Sequence, residues 1–215
     1  AYIGFNTVSE QRLAENIFGR RMSPHGLISV GINVVADADW VDVKRKYNLP
    51  EEYLLYVGRI DKGKLNHIVQ YFLHYKARYA NSKLKFVLVG GLFSAPVSHS
   101  DLIYTGFVSE NEKYAIIRHA KIMVNPSKFE SLSLILLEGM QLGKPMLVNG
   151  KCEVLKEHCS KSEKAALAYW NKNDFISKLA SLETSSELCR EMGEKGKVYV
   201  ETYYSWSVIM ERLKK

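Results

Sequence analysis

Two glutamates, Glu130 and Glu138, stand eight positions apart in the stretch NPSKFESLSLILLEGMQLGKP. Glu130 precedes an apolar run, and Glu138 lies inside it with Leu134 and Leu142 four residues to either side on its own helical face. An ionised carboxylate is costly to bury without a partner, so Glu138 needs either a cation or a polar ligand. A buried ion pair is one explanation. The other is that both carboxylates face a polyhydroxylated ligand and accept hydrogen bonds from its hydroxyl groups.

A second group of charged residues follows the β-rich run YLLYVG. Arg59 comes directly after Gly58, and Lys64 stands five residues later at the start of a helical pattern. A glycine turn with two cations beside a helix N-terminus predicts an anion site, because backbone amides and the helix dipole add positive potential. The alternative is that Arg59 pairs with Asp61 and that Lys64 is simply solvated. The spacing does not match the Walker phosphate loop.

The pattern around these residues predicts a doubly wound α/β domain with a parallel, Rossmann-like sheet. Near-continuous apolar strands alternate with helices, which is typical of a parallel sheet covered on both faces. The predicted strands are YIGFN, LISVGI, YLLYVGR, LKFVLVGG, LIYTGF, KIMVNPS and PMLVNG. The predicted helices cover residues 8–18, 64–79, 110–120, 133–142, 152–158, 174–182, 186–203 and 206–213. In such folds the ligand lies beyond the carboxyl ends of the strands.

The opening segment does not fit the main pattern. It offers one strand and one helix, then another apolar run and a polar stretch, all before the first strand of the main sheet. We therefore expect residues 1–33 to be the tail of an upstream domain and residues 34–52 to be a linker. The main domain is expected to span residues 53–200.

The composition narrows the classes of function. The 215 residues are 47% hydrophobic and 25% charged, which is ordinary for a globular chain. No apolar run reaches the roughly 20 residues of a membrane span. The net charge of +7 comes without a basic stripe interleaved with aromatic residues, so nucleic acid is not an expected partner. The excess of positive charge is compatible with an anionic ligand, or with peripheral contact with an acidic membrane face.

The three cysteines and their neighbourhood predict no metal site. Cys152, His158 and Cys159 lie close together in CEVLKEHC, but zinc sites use about four ligands at recognisable spacings, and no second pair is present. Two thiols on a packed helix face explain the spacing better. Because an odd number of cysteines cannot all pair within one chain, a reducing cytosol is the predicted location.

Taken together, the motifs resemble the C-terminal, donor-binding half of GT-B fold glycosyltransferases in the large retaining family four. The resemblance runs from about Tyr53 to the end and is carried by E-x7-E between P-S and G-K-P, by G-R-x4-K and by the G-F-V-S turn. It implies transfer of a sugar from a nucleotide-diphosphate sugar to a glycan or lipid-linked acceptor, with retention and without a metal or other cofactor. It also implies that the acceptor binds an N-terminal domain, that residues 201–215 return toward that domain, and that this chain alone turns over slowly or not at all.

The resemblance assigns roles to individual residues. Arg59 and Lys64 match the cations on the donor diphosphate. Glu130 matches the glutamate beside the transferred sugar, and Glu138 matches the glutamate that holds the ribose hydroxyls. Val108 sits where backbone groups meet the nucleobase. The remaining implied donor contacts are Gly58 and the backbone of Ser131, Leu132, Ser133 and Leu134.

The chain departs from this family in two places. The usual E-G-F-G-L is replaced by ESLSL from Glu130 onward, and the glycine that usually follows the lysine is Leu65. The loss of both loop glycines bears on how closely the backbone can approach the sugar. Two other functions fit the same residues. They are a sugar-nucleotide 2-epimerase of the same fold and a non-catalytic nucleotide-binding fragment.

Overall fold

The computed structural model describes residues 2–33 and 38–214, except the side chains of Lys64 and Asn66. A small two-stranded parallel sheet comes first, and a six-stranded parallel sheet with helices on both faces follows, which confirms the predicted α/β class. The strands are β1 (Ile3–Phe5), β2 (His25–Leu27), β3 (Tyr53–Val57), β4 (Lys85–Val89), β5 (Leu102–Gly106), β6 (Ile122–Asn125), β7 (Met146–Asn149) and β8 (Ala166–Tyr169). The helices are α1 (Val8–Phe18), α2 (Trp40–Tyr47), α3 (Lys62–Arg78), α4 (Glu110–His119), α5 (Leu134–Gln141), α6 (Glu153–Lys161), α7 (Lys172–Thr184), α8 (Ser186–Tyr204) and α9 (Trp206–Leu213).

The order of the strands in the main sheet determines where a ligand can bind. The order is β5-β4-β3-β6-β7-β8, and every neighbouring pair is parallel. The chain moves outward in one direction from β3 and in the other from β6, so the connections separate between these two neighbours. In doubly wound sheets the crevice at such a point is the usual ligand site. The loop after β3 carries Arg59, and the loop after β6 carries Glu130.

Two apolar layers, one on each face, hold the sheet between its helices. Leu55 and Val87 face the layer that includes residues of α4, α5, α6 and α8, whereas Leu54 and Phe86 face the layer formed with α3 and α7. All four side chains are fully buried. Burial on both faces explains why these strands are almost continuously apolar. The result is a rigid platform for the loops at its carboxyl edge.

Local signals in the sequence account for several helix ends. Ser109 and Glu112 form the capping box at the start of α4, with the Ser109 amide donating to Glu112 at 2.9 Å. Gly143, just after α5, adopts φ of 70°, a conformation in which glycine is favoured. Both helix boundaries were expected from the sequence.

Three elements differ from the sequence-based expectation. The strand predicted at LISVGI is wrong, because β2 ends at Leu27 and Ser29 turns out of the extended region with φ of 66°. Helix α2 lies inside the expected linker, begun by Asp39 as its cap and ended by Asn48 with φ of 50°. Strand β8 was missed because two of the four residues of ALAY are alanines, which are disfavoured in strands. Within the described ranges, no helix has both the length and the apolar content that crossing a bilayer requires.

Candidate functional site

The turns that follow β3, β4 and β5 pack tightly against one another at the carboxyl edge of the sheet. The Gly58 amide donates to the Val89 carbonyl, and the Gly90 amide donates to the Gly106 carbonyl, both at 2.9 Å. Gly90 has φ of 136°, and a Cβ there would lie 2.0 Å from the Gly58 carbonyl oxygen. Only glycine fits at Gly90, because any side chain would overlap backbone. These turns form the floor of the crevice.

Arg59 projects from this floor into solvent. Its side chain is 65% exposed, and its Nε donates to Asp61 Oδ2 at 2.9 Å, so the ion pair considered from the sequence is present. Below it, the buried Tyr56 hydroxyl donates to the Arg59 carbonyl at 2.9 Å. Burial raises the pKa of Tyr56, the charges of Asp61 and Glu130 raise it further, and Arg59 opposes them. All three charges act on this hydroxyl, which is consistent with Arg59 and Glu130 following the neighbouring strands β3 and β6.

Lys64, the second predicted cation, lies in the first turn of α3. Its side chain is outside the part of the chain that the structure describes. The predicted contact of Lys64 with a donor diphosphate stays a prediction.

Asn125 organises the loop that carries Glu130. This residue ends β6 and is buried, and its Nδ2 donates to Glu130 Oε1 at 3.3 Å and to Ser133 Oγ at 2.8 Å. Its Oδ1 accepts from the Ser127 amide at 3.0 Å. One amide side chain thus joins the start, middle and end of the loop. Asn125 was not predicted from the sequence, although a polar residue at the carboxyl end of a buried strand is a usable signal.

Ser133 replaces the second loop glycine of the related motif, yet it keeps the backbone conformation that a glycine would adopt. It has φ and ψ of 70° at the N-cap of α5, a strained region for a residue with a side chain. Ser131, at the first glycine position, is not among the described residues with positive φ. The serine side chain also makes no cap hydrogen bond to the helix. The N-terminus of α5 therefore receives no cap from the Ser133 side chain.

Glu138 has a protein partner. Its Oε1 accepts from Lys113 Nζ at 3.0 Å and from the Tyr114 hydroxyl at 3.1 Å. The side chains of Glu138 and Lys113 are each 15% exposed, so the ion-pair explanation is what the structure shows. Burial lowers the pKa of Lys113, but its hydrogen bonds with Glu138 and Glu110 outweigh burial and raise it overall. Both contacts fall on Oε1, and no described residue donates to Oε2.

Tyr114 also links this carboxylate to the chain that leads into the main domain. Its hydroxyl lies 3.2 Å from the Asn33 carbonyl oxygen as well as 3.1 Å from Glu138 Oε1. Neither Lys113 nor Tyr114 was singled out from the sequence. The capping box fixes the register of α4 and thereby places both residues toward α5.

The predicted base contact at Val108 lies just beyond β5. The Val108 side chain packs against the apolar core, while the preceding Phe107 is 81% exposed at the rim of the crevice. A contact between the Val108 backbone and a nucleobase stays a prediction.

Two more residues that the sequence analysis missed hold the Glu130 loop from behind. Thr7 Oγ1 donates to the Ser131 carbonyl at 3.2 Å, and His158 Nε2 lies 2.8 Å from the Leu132 carbonyl oxygen. His158 Nδ1 lies 2.9 Å from the Tyr199 hydroxyl, so hydrogen bonds use both ring nitrogens. These contacts join residues far apart in sequence, which is why no local pattern indicated them.

The chain is similar to a known protein family in sequence and to solved structures in fold. A family model described as "Glycosyl transferases group 1" matches residues 41–199, most of the chain. Sucrose-phosphate synthase (tll1590) from Thermosynechococcus elongatus aligns with a TM-score of 0.76 at 17% identity, over 99% of this chain and 56% of that protein. WaaG, a glycosyltransferase involved in lipopolysaccharide biosynthesis, aligns with a TM-score of 0.73 at 14% identity, over 97% and 60%.

A third structure, Anabaena Alr3699/HepE in complex with UDP and glucose, aligns with a TM-score of 0.77 at 11% identity, over 99% of this chain and 62% of that protein. At such identities the likeness shows the fold, which is that of the Rossmann-like domains of GT-B proteins. The chain spans 56% to 62% of the length of these three proteins.

Proposed function

Because this chain belongs to the glycosyl transferases group 1 family, we propose that it is the donor-binding half of a retaining, hexosyltransferase-like enzyme. The substrate would be a nucleotide-diphosphate sugar, and the acceptor a glycan or a lipid-linked glycan. The observation that carries the proposal is that Arg59 and Glu130 follow the neighbouring strands β3 and β6, where the connections from these two strands separate. The complex of HepE with UDP and glucose supports a sugar nucleotide as the ligand class.

The diphosphate would bind in the part of the crevice that carries the cations Arg59 and Lys64. Departure of a nucleoside diphosphate develops negative charge on the β-phosphate, which fixed donors stabilise best. Arg59 and Lys64 would supply cations, with Arg59 exchanging Asp61 for the phosphate oxygens. The amides of Ser131, Leu132, Ser133 and Leu134 and the positive end of α5 would add neutral donors. No metal or other cofactor takes part in this proposal.

Glu130 would lie beside the transferred sugar. Its Oε1 accepts a hydrogen bond from Asn125, the last residue of β6, which restrains the position of the carboxylate relative to the sheet. In a same-face mechanism the acceptor attacks from the side on which the diphosphate leaves, and Glu130 then does not need to act as a covalent nucleophile. Its role is to orient the sugar and to stabilise positive charge at the reacting carbon.

Glu138 would hold the ribose through its second carboxylate oxygen. Lys113 and Tyr114 bind Oε1, and Oε2 has no donor among the described residues. Ribose hydroxyls are donors that a carboxylate oxygen accepts well. The ion pair and the ligand role are thus compatible, because each uses a different oxygen.

The acceptor would bind a domain other than the donor-binding one. Because the chain spans little more than half of its structural neighbours, we place the acceptor site in an N-terminal domain that ends with residues 1–33. Residues 34–52 would link that domain to the donor domain at 53–200, and residues 201–215 would return to it. A cytosolic location, with peripheral contact to a membrane face, also stays a prediction.

A binding panel tests the proposal. The chain is titrated by calorimetry with UDP-, GDP- and ADP-glucose, and its melting temperature is followed in parallel. One base is expected to bind and to raise the melting temperature, since a ligand at 100 times its Kd stabilises by about 2.7 kcal/mol. Glu138→Ala should abolish binding, whereas Glu153→Ala, at an exposed glutamate of α6 paired with Lys156, should leave binding unchanged.

Two results would contradict the proposal. If no nucleotide sugar changes the melt, the donor site is wrong. If the two-domain enzyme converts a bound donor to its C2 epimer without an acceptor, the epimerase alternative is correct instead.

A further inference from the structure

His158 is a buried titratable residue in α6 that the proposed chemistry does not use. It is 1% exposed, with Nε2 at 2.8 Å from the Leu132 carbonyl oxygen and Nδ1 at 2.9 Å from the Tyr199 hydroxyl. A carbonyl oxygen only accepts, so Nε2 must carry the proton. In the neutral ring Nδ1 is then an acceptor, and Tyr199 donates to it. Tyr199 therefore fixes the tautomer that Leu132 requires.

A bound peptide carbonyl has a consequence for the next amide. The peptide unit is planar and trans, so the Leu132 carbonyl and the Ser133 amide point in opposite directions. By holding the carbonyl, His158 directs the Ser133 N–H away from itself. Thr7 holds the Ser131 carbonyl in the same way, at 3.2 Å, and so directs the Leu132 N–H. No described residue accepts from either of these two amides.

The two anchors lie on the same side of the loop. Glu157, the neighbour of His158, accepts from the Val8 amide at 3.3 Å and from the Ser9 amide at 2.8 Å, directly after Thr7. Both carbonyls are therefore pulled toward α6 and the start of α1. The two amides consequently face the opposite side, and backbone donors of this kind can bind an anion.

The left-handed conformation of Ser133 fits this arrangement. At φ and ψ of 70° the chain turns sharply between the loop and α5, so the orientation of the Ser133 amide depends on what fixes the preceding peptide unit. Asn125 donates a hydrogen bond to the Ser133 side chain at 2.8 Å and makes no hydrogen bond to that peptide unit among the described contacts. His158 does.

We propose that His158 is a positioning residue of the donor site, which aims the Ser133 amide at the anionic part of the nucleotide sugar by holding the Leu132 carbonyl. Tyr199 supports it by setting the tautomer. This inference rests on the proposed function. It adds to the donor site a residue, His158, that lies behind the loop and touches no ligand.

The test separates binding of the diphosphate from binding of the nucleoside. The chain is titrated by calorimetry with UDP and UMP, GDP and GMP, and ADP and AMP, and the base that binds is used for the variants. His158→Leu is expected to weaken diphosphate binding at least tenfold and monophosphate binding less than threefold. His158→Gln should restore diphosphate binding to within about threefold, because its amide can donate to the Leu132 carbonyl.

Tyr199→Phe provides a second variant that keeps the volume of the core. It should weaken diphosphate binding by a smaller factor than His158→Leu, again with little change for the monophosphate. Equal weakening of both ligands, or no weakening of either, in folded His158→Leu or Tyr199→Phe would overturn this inference and leave the proposed function intact. Failure of the unmodified chain to bind any of the six nucleotides would overturn the proposed function and the inference together.

Discussion

Lys113 Nζ lies 3.0 Å from Glu138 Oε1, and the pair is only partly open to solvent. Lys113 belongs to α4 and Glu138 to α5, so the ion pair joins the helices that follow β5 and β6. The Tyr114 hydroxyl reaches the same oxygen at 3.1 Å. Two donors on one oxygen fix the rotation of the carboxylate, and the other oxygen keeps one orientation before any ligand arrives.

This arrangement predicts that Lys113 matters for nucleotide binding although the proposed ligand contact is made by Glu138. Lys113→Met should weaken nucleotide binding about tenfold because the carboxylate loses its fixed orientation. It should also lower the free energy of unfolding by roughly 1.5–3 kcal/mol, the range for a hydrogen bond to a charged group. Calorimetry and urea unfolding measure the two effects.

The matched control for Lys113 is Glu110→Gln. Glu110 is the other, exposed partner of Lys113, and its loss leaves the Glu138 contact in place. Nucleotide binding should be unchanged in this variant. If Lys113→Met is destabilised but binds nucleotide as tightly as the unmodified chain, the ion pair is only structural.

Arg59 is expected to contribute to diphosphate binding by exchanging partners. Arg59→Met should weaken binding of the diphosphate at least tenfold and binding of the monophosphate much less. In the two-domain enzyme it should lower kcat by about 100- to 1,000-fold, as loss of one oxyanion donor does. Arg78→Met makes the same charge change at the far end of α3, at an exposed side chain, and should leave both ligands unaffected. Similar losses in both variants would mean that net charge, rather than position, attracts the ligand.

Ser133 allows backbone strain to be separated from side-chain hydrogen bonding. Ser133→Ala loses the bond from Asn125, worth about 0.5–1.5 kcal/mol, and keeps the left-handed backbone. Ser133→Gly loses the same bond but removes a strain of roughly 1–2 kcal/mol. The glycine variant should therefore be the more stable of the two by about 1 kcal/mol in urea unfolding. Equal stability of the two variants would show that Ser133 is not held at positive φ.

The pH dependence of stability should carry the signature of His158. Burial lowers its pKa to about 4, from an ordinary value near 6.5, so the unfolded chain binds a proton that the folded chain does not. Stability is complete above pH 6.5 and is lost as the pH falls through that value toward 4, by about 3 kcal/mol in total. Glu157 also destabilises the fold in acid, but its pKa is lowered to about 2, which confines its effect to more acidic solution.

Comparison with His158→Gln isolates this residue. The groups that face it (the hydroxyls of Tyr199 and Tyr204, the Leu132 carbonyl, and the charges of Glu157 and Lys161) are all present in the variant. Between pH 6.5 and 5, urea unfolding should show a falling stability in the unmodified chain and a flatter curve in the variant. Parallel curves would mean that His158 is not buried in its neutral form.

The sequence predicted what depends on local pattern and on the sheet. Apolar runs predicted β3 to β7, and the helical pattern from residue 110 predicted the start of α4, because periodicity is a property of neighbouring residues. It missed β8, where two of four residues are alanines, and α2, which lies in the polar stretch expected to be a linker. It placed Arg59 and Glu130 at one edge because parallel strands end there together.

The supporting contacts could not be predicted in the same way. Thr7 meets Ser131, and His158 meets Leu132, across separations of 124 and 26 residues. Such pairs depend on how α1 and α6 pack against the loop, and no spacing in one sequence encodes that packing. The ion pair of Glu138 was foreseen as one of two explanations, but its partner Lys113 was not.

The Thr7 hydrogen bond connects the N-terminal segment to the loop that carries Glu130, so the proposed donor site depends on residues that precede the main sheet. A polypeptide that started at Tyr53 would retain all six strands of the main sheet, yet it would leave the Ser131 carbonyl without its donor. Such a truncated protein should be a poor receptor for the sugar nucleotide. Binding of the sugar nucleotide is therefore expected to need residues that lie outside the domain defined by the main sheet.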